Sequence, residues 1–332
     1  MATLYFLSDY GLADEFVGVV HAVLGRLAPG VPMVDLTHGV PPFDVTAGAA
    51  ALARCVPFLG DGVVVAVVDP GVGTGRRPVA VHVDPADGGP HWLVGPDNGL
   101  LLPAADSLGG VLDVVVLDPA RLRTAPVRTG TPPATTFDGR DVFAPAAAHL
   151  ATGGDPGDLG ELAGPGSLVP GPPLPRTHVE RDGSAVSLVT PVVGVDRFGN
   201  VQLAADATAL VSLGVGPGDP VSVTILASSG TGDGETGAAG AERTAVPPAA
   251  AVPAAVPAAV PAAVPAVVVR TFAACPPGGL GLLVDAAGHL ALVADRASAA
   301  DRLAGSPSRI APDGLVGTGV RLERRRRESA ST

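Results

Sequence analysis

Asp69 and Arg76 stand seven residues apart on either side of a glycine-rich turn, in the stretch VVVAVVDPGVGTGRR. A carboxylate there can accept a proton, and a guanidinium beside it can fix it in place and stabilise hydroxide character on an oxygen nucleophile. Six apolar residues, five of them Val, run into Asp69 and Pro70. That pattern reads as a buried strand whose backbone bends sharply at its end. In open α/β sheets ligands bind outside the carboxyl ends of strands, so an acid at that place is a site candidate. The competing reading is a turn carboxylate bonded to its own backbone and paired with a solvated Arg. Asp9 repeats the arrangement at the end of TLYFLS, and two acids at two strand ends can face one crevice. His38, after the run Val31 to Leu36, is either a ligand or acid/base group or a packed, hydrogen-bonded residue. Asp138, in TTFDGR, marks a turn, and Asp141 could cap the helix that follows.

These residues need elements to hold them. Residues 3 to 8 read as a strand, and Phe16 to Leu27 has helical spacing closed by Pro29-Gly30. Val45 to Val56 is an Ala-rich helix stopped by Pro57, and strands follow to Asp69, at 79 to 83, 92 to 94 and 111 to 117. Strands alternating with helices predict a mostly parallel α/β domain over residues 1–152. Gly and Pro accumulate over 153–175, the expected linker. Short strands at 185 to 195, 201 to 203, 221 to 226, 281 to 284 and 289 to 293 then predict a small β-barrel over 176–305. It is interrupted at 228–267: residues 228 to 248 are rich in Gly, Ser, Thr and Ala, and Ala249 to Pro265 repeat AAVP with Pro at every fourth position, which opposes helix and strand alike, so a disordered or polyproline-like insertion is expected. Residues 306–332 are expected to form a tail with a disordered end.

Composition removes several classes of function. A formal charge of −11 opposes nucleic-acid binding, and the basic run Arg324 to Arg327 sits in the last ten residues. The chain contains no Lys, which excludes a Lys Schiff base and the GxxxxGK phosphate loop. No apolar run spans a membrane without Pro, Gly or charge, and Asp9 would fall inside any signal peptide, so a cytoplasmic protein is expected. Cys55 and Cys275 are too few and too far apart for a disulfide framework or a metal knot.

Taken in order, SDYGLADEFVG, DLTH, VVDPGVGTGRRPVAV, GPDNGLL, TFDGRDVFAPAAAHLA and VDRFGNVQL resemble the S-adenosyl-L-methionine hydroxide adenosyltransferases. Those enzymes hydrolyse S-adenosylmethionine to adenosine and methionine and are similar in fold to the adenosylmethionine-dependent fluorinase and chlorinase. The resemblance covers roughly residues 3 to 226 and 268 to 303. It implies an amino-terminal α/β domain, a carboxy-terminal β-barrel, and a homotrimer with each site between one subunit's first domain and its neighbour's second. S-adenosylmethionine is then the substrate, and neither cofactor nor metal is implied. By the same resemblance Asp69 and Arg76 match two of the three groups that position the attacking water. The halogenases lack the Asp, which favours water over halide here. The third group is a His, and this chain has Asp138 in its place. Asp9 matches the residue that binds the ribose hydroxyls, Asp196 one near the methionine amine, and Asn200 one that reads adenine. Phe137 and Phe198 match neighbouring pocket positions.

Departures lie at the methionine end, where Ala286 and Ala287 replace the family's Ser pair and Ala291 replaces a Glu. Two other functions are compatible with the residues: a protein that binds adenosine or the intact sulfonium with little turnover, and a metal-dependent phosphoesterase using Asp9, Asp69 and His38 around Mg²⁺.

Overall fold

The computed structural model describes residues 2–122, 136–171, 176–183, 185–226, 263–304 and 312–325. Two compact units, Met1–Leu174 and Pro175–Thr332, make up the chain.

In the first unit β1 (Thr3–Ser8), β2 (Met33–Thr37), β3 (Gly62–Val67), β4 (Pro78–Val83), β5 (Pro90–Pro96), β6 (Val111–Leu117) and β7 (Gly160–Ala163) form one sheet. Its order is β2-β1-β3-β5-β4-β6-β7. The pairings on the β2 side are parallel and those on the β7 side antiparallel, so the sheet is mixed rather than mostly parallel. The switch falls at β4–β5, whose connection over residues 84 to 89 is too short for a parallel crossover.

Helices α1 (Phe16–Leu27), α2 (Val45–Cys55), α3 (Leu102–Ser107), α4 (Pro119–Leu122) and α5 (Ala144–Ala151) complete the unit. Every residue of β3 is buried, as a parallel strand covered on both faces requires. Val63, Val65 and Val67 pack on the face that carries α1 and α5, whereas Val64, Ala66 and Val68 pack on the face that carries α2 and α3. Each buried Val is worth about 1.5–3 kcal/mol relative to exposure, enough to fix the register of the strand and therefore the place where it ends. The chain leaves β1 through α1 to β2 on one side and returns through α2 to β3 on the other. That reversal opens a crevice at the carboxyl ends of β1 and β3. Ser8 lies opposite Val67, and the amide of Asp9 donates to the Val67 carbonyl at 3.3 Å.

The second unit contains β8 (His178–Asp182), β9 (Ala185–Val195), β10 (Val201–Asp206), β11 (Pro220–Leu226), β12 (Val264–Val268), β13 (Leu280–Val284), β14 (His289–Val293) and β15 (Gly319–Arg324), with helices α6 (Thr208–Leu213) and α7 (Ala299–Ala304). Seven strands close in the order β10-β14-β13-β12-β11-β15-β9, the ring being completed by β9 pairing with β10, and β8 extends the sheet from β9. The barrel is filled by alternate residues such as Leu188, Val201, Leu203, Val221, Val223, Leu282, Leu292 and Leu322. A carboxy-terminal barrel after an α/β domain is the expected class.

Local boundaries differ from expectation in three places. β7 lies inside the stretch expected to be linker and pairs with β6 from Val114 to Leu117, because a short strand of mixed polarity can serve a sheet edge without an apolar run. β15 lies inside the expected tail, between β11 and β9, where Val320 and Leu322 alternate into the core. β12 takes the end of the expected insertion, and Pro265 is tolerated because the parallel pairing with β13 begins only at Ala266. The AAVP repeat otherwise falls in 227–262, outside the described residues. Among the described residues no helix is long and apolar enough to cross a membrane.

Candidate active site

A pocket of about 250 Å³ sits in the first unit, lined by Asp9, Tyr10, Phe16, Phe43, Asp69, Phe137 and Asp138 among others. Asp69 leaves the end of β3 into a turn that its own residues fix. Thr74 donates its hydroxyl to the Gly71 carbonyl at 2.6 Å and accepts the Arg76 amide at 3.3 Å. Gly73 holds φ of +77°, a left-handed conformation that glycine adopts without a Cβ penalty. Asn98 steadies the other side: its side-chain amide donates to the Val68 carbonyl at 2.9 Å, and its oxygen accepts the Leu100 amide at 3.2 Å. The GPDNGLL motif thus supplies the partner that the last carbonyl before Asp69 would otherwise lack.

Arg76 joins two carboxylates. Its Nε donates to Asp69 Oδ1 at 3.1 Å and its Nη2 donates to Asp69 Oδ2, while the same Nη2 donates to Asp138 Oδ2 at 2.8 Å. Side-chain exposures are 8% for Arg76, 6% for Asp69 and 12% for Asp138, so the cluster is largely removed from water. Burial raises the pKa of Asp69 above the usual carboxylate range, Arg76 opposes the rise, and the charge of Asp138 adds to it. The Arg76 guanidinium also lies 5.3 Å from the centre of the Phe143 ring.

Asp138 precedes a π-helical turn, Gly139–Phe143, that runs directly into α5. Such turns re-aim side chains at a helix entry. Asp141 does not cap the helix as expected. It is buried inside the turn, with both carboxylate oxygens taken by Arg140 at 2.7 Å. Gly139 is required by packing, since a Cβ there would stand 2.3 Å from the Tyr10 hydroxyl. Tyr10, Phe16 and Phe137 form an aromatic corner, with Phe137 edge-on to both at 5.8 and 5.3 Å between ring centres. Burial, followed by the charges of Asp9, Asp69 and Asp138, raises the pKa of the Tyr10 phenol, so it stays neutral at physiological pH.

Of the residues singled out from the sequence, Asp9, Asp69, Arg76, Phe137 and Asp138 come together in this unit. Asp9 accepts the Phe43 amide at 2.8 Å. Asp196, Phe198 and Asn200 come together in the second unit, in the turn from β9 to β10. There Asp196 Oδ1 accepts the amides of Phe198 and Asn200 at 2.9 and 3.0 Å, and Oδ2 accepts the Asn200 side-chain amide at 2.8 Å. Asp196, Asn200, Ala286 and Ala291 line a pocket of about 360 Å³ within that unit, and Phe198 is 73% exposed beside another.

His38 takes no part in an Asp9–Asp69 cluster. Among the described residues the group with metal-ligand proximity is His21, Asp35 and His38. From the sequence Asn98 reads as a turn residue and Phe16 as part of a helix face, and neither they nor Tyr10 and Phe43 stand out as site residues. Phe43 is 71% exposed at the pocket and holds φ of +67°, which is uncommon for a bulky residue. The preceding Pro41-Pro42 and the helix cap Asp44 mark a turn there but give no sign of an aromatic pocket wall.

Residues 4–160 match the family model described as the SAM hydroxide adenosyltransferase N-terminal domain. An (R)-S-adenosyl-L-methionine hydrolase of Salinispora arenicola is 44% identical over 302 residues, 91% of this chain and 94% of the relative. A second protein of that name, from Salinispora tropica, is 49% identical over 208 residues, 63% of this chain and 74% of the relative. The crystal structure of an uncharacterized conserved protein from Thermotoga maritima superposes with a TM-score of 0.73 at 26% identity, covering 97% of this chain and all of that one. Likeness at this identity along nearly the full length of a relative reaches well beyond a shared sheet: the chain belongs to the SAM hydroxide adenosyltransferase family.

Proposed function

We propose that this chain hydrolyses S-adenosyl-L-methionine to adenosine and L-methionine, with Asp69, Arg76 and Asp138 positioning the attacking water. The observation that carries this reading is the buried guanidinium shared by two carboxylates beside a pocket walled by Tyr10, Phe16 and Phe137. The identity with proteins named as hydrolases of this substrate supports it.

A sulfonium is a good leaving group, so displacement at the ribose C5′ needs no general acid. The new O–C5′ bond forms as the C5′–S bond breaks, the electron pair goes to sulfur to give the neutral thioether, and the water proton passes to Asp69. What the protein must supply is a water held in line with the breaking bond, an effect worth up to about 7–11 kcal/mol in favourable systems. Asp69 is the proton acceptor, Arg76 fixes it, and Asp138 takes the water-orienting place of the family's His. Asp9 binds the ribose hydroxyls. Tyr10, Phe16 and Phe137 shield the reacting centre from bulk water.

Purified protein incubated with S-adenosylmethionine is expected to give adenosine and methionine in equal amounts by mass spectrometry. A tightly bound nucleoside with no turnover would replace this reading with that of a binding protein. Asp138→Asn keeps a hydrogen-bonding side chain but removes the charge that raises the Asp69 pKa. It is expected to move the acid limb of the kcat/KM profile to lower pH and to reduce kcat about tenfold or more by loosening the water. An unchanged profile and rate would take Asp138 out of the mechanism.

Following the resemblance, the working assembly is a homotrimer to which Asp196, Phe198 and Asn200 contribute from a neighbouring subunit. Light scattering should then return three times the 32.6 kDa chain mass, and a monomer with full activity would overturn the arrangement.

A further inference from the structure

We propose that His21, Asp35 and His38 form a binding site for one divalent first-row transition-metal ion, with Zn²⁺ as its natural probe. His21 projects from α1, whereas Asp35 and His38 lie three residues apart at the end of β2 and just beyond it, so two separate elements bring the three side chains to one point. His21 Nε2 lies 2.7 Å and His38 Nε2 3.1 Å from the same oxygen, Asp35 Oδ1. All three ligand atoms fall within 4.8 Å of one another. Tetrahedral donors at about 2.0–2.1 Å from Zn²⁺ stand roughly 3.3 Å apart, so small outward movements of these side chains would admit the ion.

The His38 ring gives the independent reason to expect a ligand. Its side chain is 3% exposed, and its Nε2 makes no hydrogen bond although the Asp35 oxygen is near. A buried ring nitrogen within ion-pair distance of a carboxylate oxygen, but out of hydrogen-bonding geometry, is costly unless something else uses it. Its other nitrogen, Nδ1, is 2.8 Å from Ser8 Oγ. When Nδ1 donates its proton to Ser8, Nε2 is left with a lone pair directed at the cluster, the tautomer a metal ligand needs. Phe6 makes edge contacts with both rings, at 4.6 Å from His38 and 6.0 Å from His21 between ring centres, and gives them a common apolar neighbour.

On the outer side, His21 and Asp35 are 32% and 42% exposed, which leaves room for water to complete the coordination. Two imidazoles and one carboxylate favour Zn²⁺, Co²⁺ or Ni²⁺ over Mg²⁺ and Ca²⁺, which prefer all-oxygen ligands. The bound ion would fasten α1 to the end of β2. This is separate from the hydrolytic chemistry proposed for Asp69, and the test does not use turnover.

The full chain, stripped with chelator and exchanged into chelator-free buffer, is titrated with Zn²⁺ by calorimetry and with Co²⁺ by visible absorption. One saturable equivalent is expected. His21→Ala and Asp35→Asn should each weaken it by about tenfold or more, in the range that loss of metal-site partners brings. His178→Ala, at a largely exposed His paired with Glu180, should leave the affinity as it was. Both test positions are partly exposed, and circular dichroism of the apo variants checks that they fold. Absence of a saturable equivalent, or equal affinity in the wild type and both variants, overturns the site.

Discussion

Asp69→Asn is expected to lower kcat about 10³-fold while leaving KM within a few-fold of the wild-type value, the middle of the range for loss of a general base. Asn nearly preserves the shape of Asp but offers one acceptor oxygen in place of two, so Arg76 loses one of its two hydrogen bonds to this position while the pocket wall keeps its shape. Asn cannot, however, take the proton that the attacking water must lose. Arg76 keeps Asp138 as a partner in the variant, at 2.8 Å in the native protein, which limits the structural damage. Single-turnover measurement with S-adenosylmethionine separates the two effects: binding should persist while adenosine formation nearly stops. A loss smaller than about tenfold would mean that water is deprotonated elsewhere.

Much of this arrangement could be read from the residues themselves because β3 is an extreme case. A run of Val ending in Asp-Pro-Gly has few structural solutions, and burial on both faces fixes where the carboxylate emerges. Asp9 follows by the same logic one strand away. The contact between Asp138 and Arg76 spans 62 residues and depends on a π-helical turn, which no periodicity announces. Tyr10 and Phe16 look like ordinary core aromatics in sequence; the place of Tyr10 at the pocket follows from the close approach of Gly139 to its hydroxyl, and that of Phe16 from packing against the Tyr10 and Phe137 rings. The missed strands have a simpler cause. β7 is a short, partly exposed edge and β15 lies beyond a Pro- and Gly-bearing stretch, so neither carries the long apolar alternation that signals a strand. The parallel half of the first sheet was legible because crossover helices advertise it, whereas the antiparallel half is specified by the short β4–β5 connection rather than by composition.

Arg76→Gln should have opposite pH dependences for activity and stability. Arg76 is the group that holds the Asp69 pKa down against burial and against the charge of Asp138. Without it the pKa of Asp69 rises further, so less of the carboxylate is ionised at neutral pH and the acid limb of the kcat/KM profile moves upward. At neutral pH the loss is expected to be about 10²–10³-fold, comparable with removing one preorganised charged donor, and part of it should be recovered as the pH is raised. Stability runs the other way. With its folded pKa above the unfolded value, Asp69 contributes stability that is complete below the unfolded pKa and is lost as the pH rises through the folded one. Two carboxylates that are 6% and 12% exposed would then lack the counterion they share, a defect of the kind that costs about 3–5 kcal/mol. Thermal unfolding of the variant across pH should therefore show its largest Tm deficit where both acids are ionised and a smaller one on acidification. If the acid limb of activity stays put while the Tm deficit is independent of pH, Arg76 is only a structural brace and does not set the charge state of Asp69.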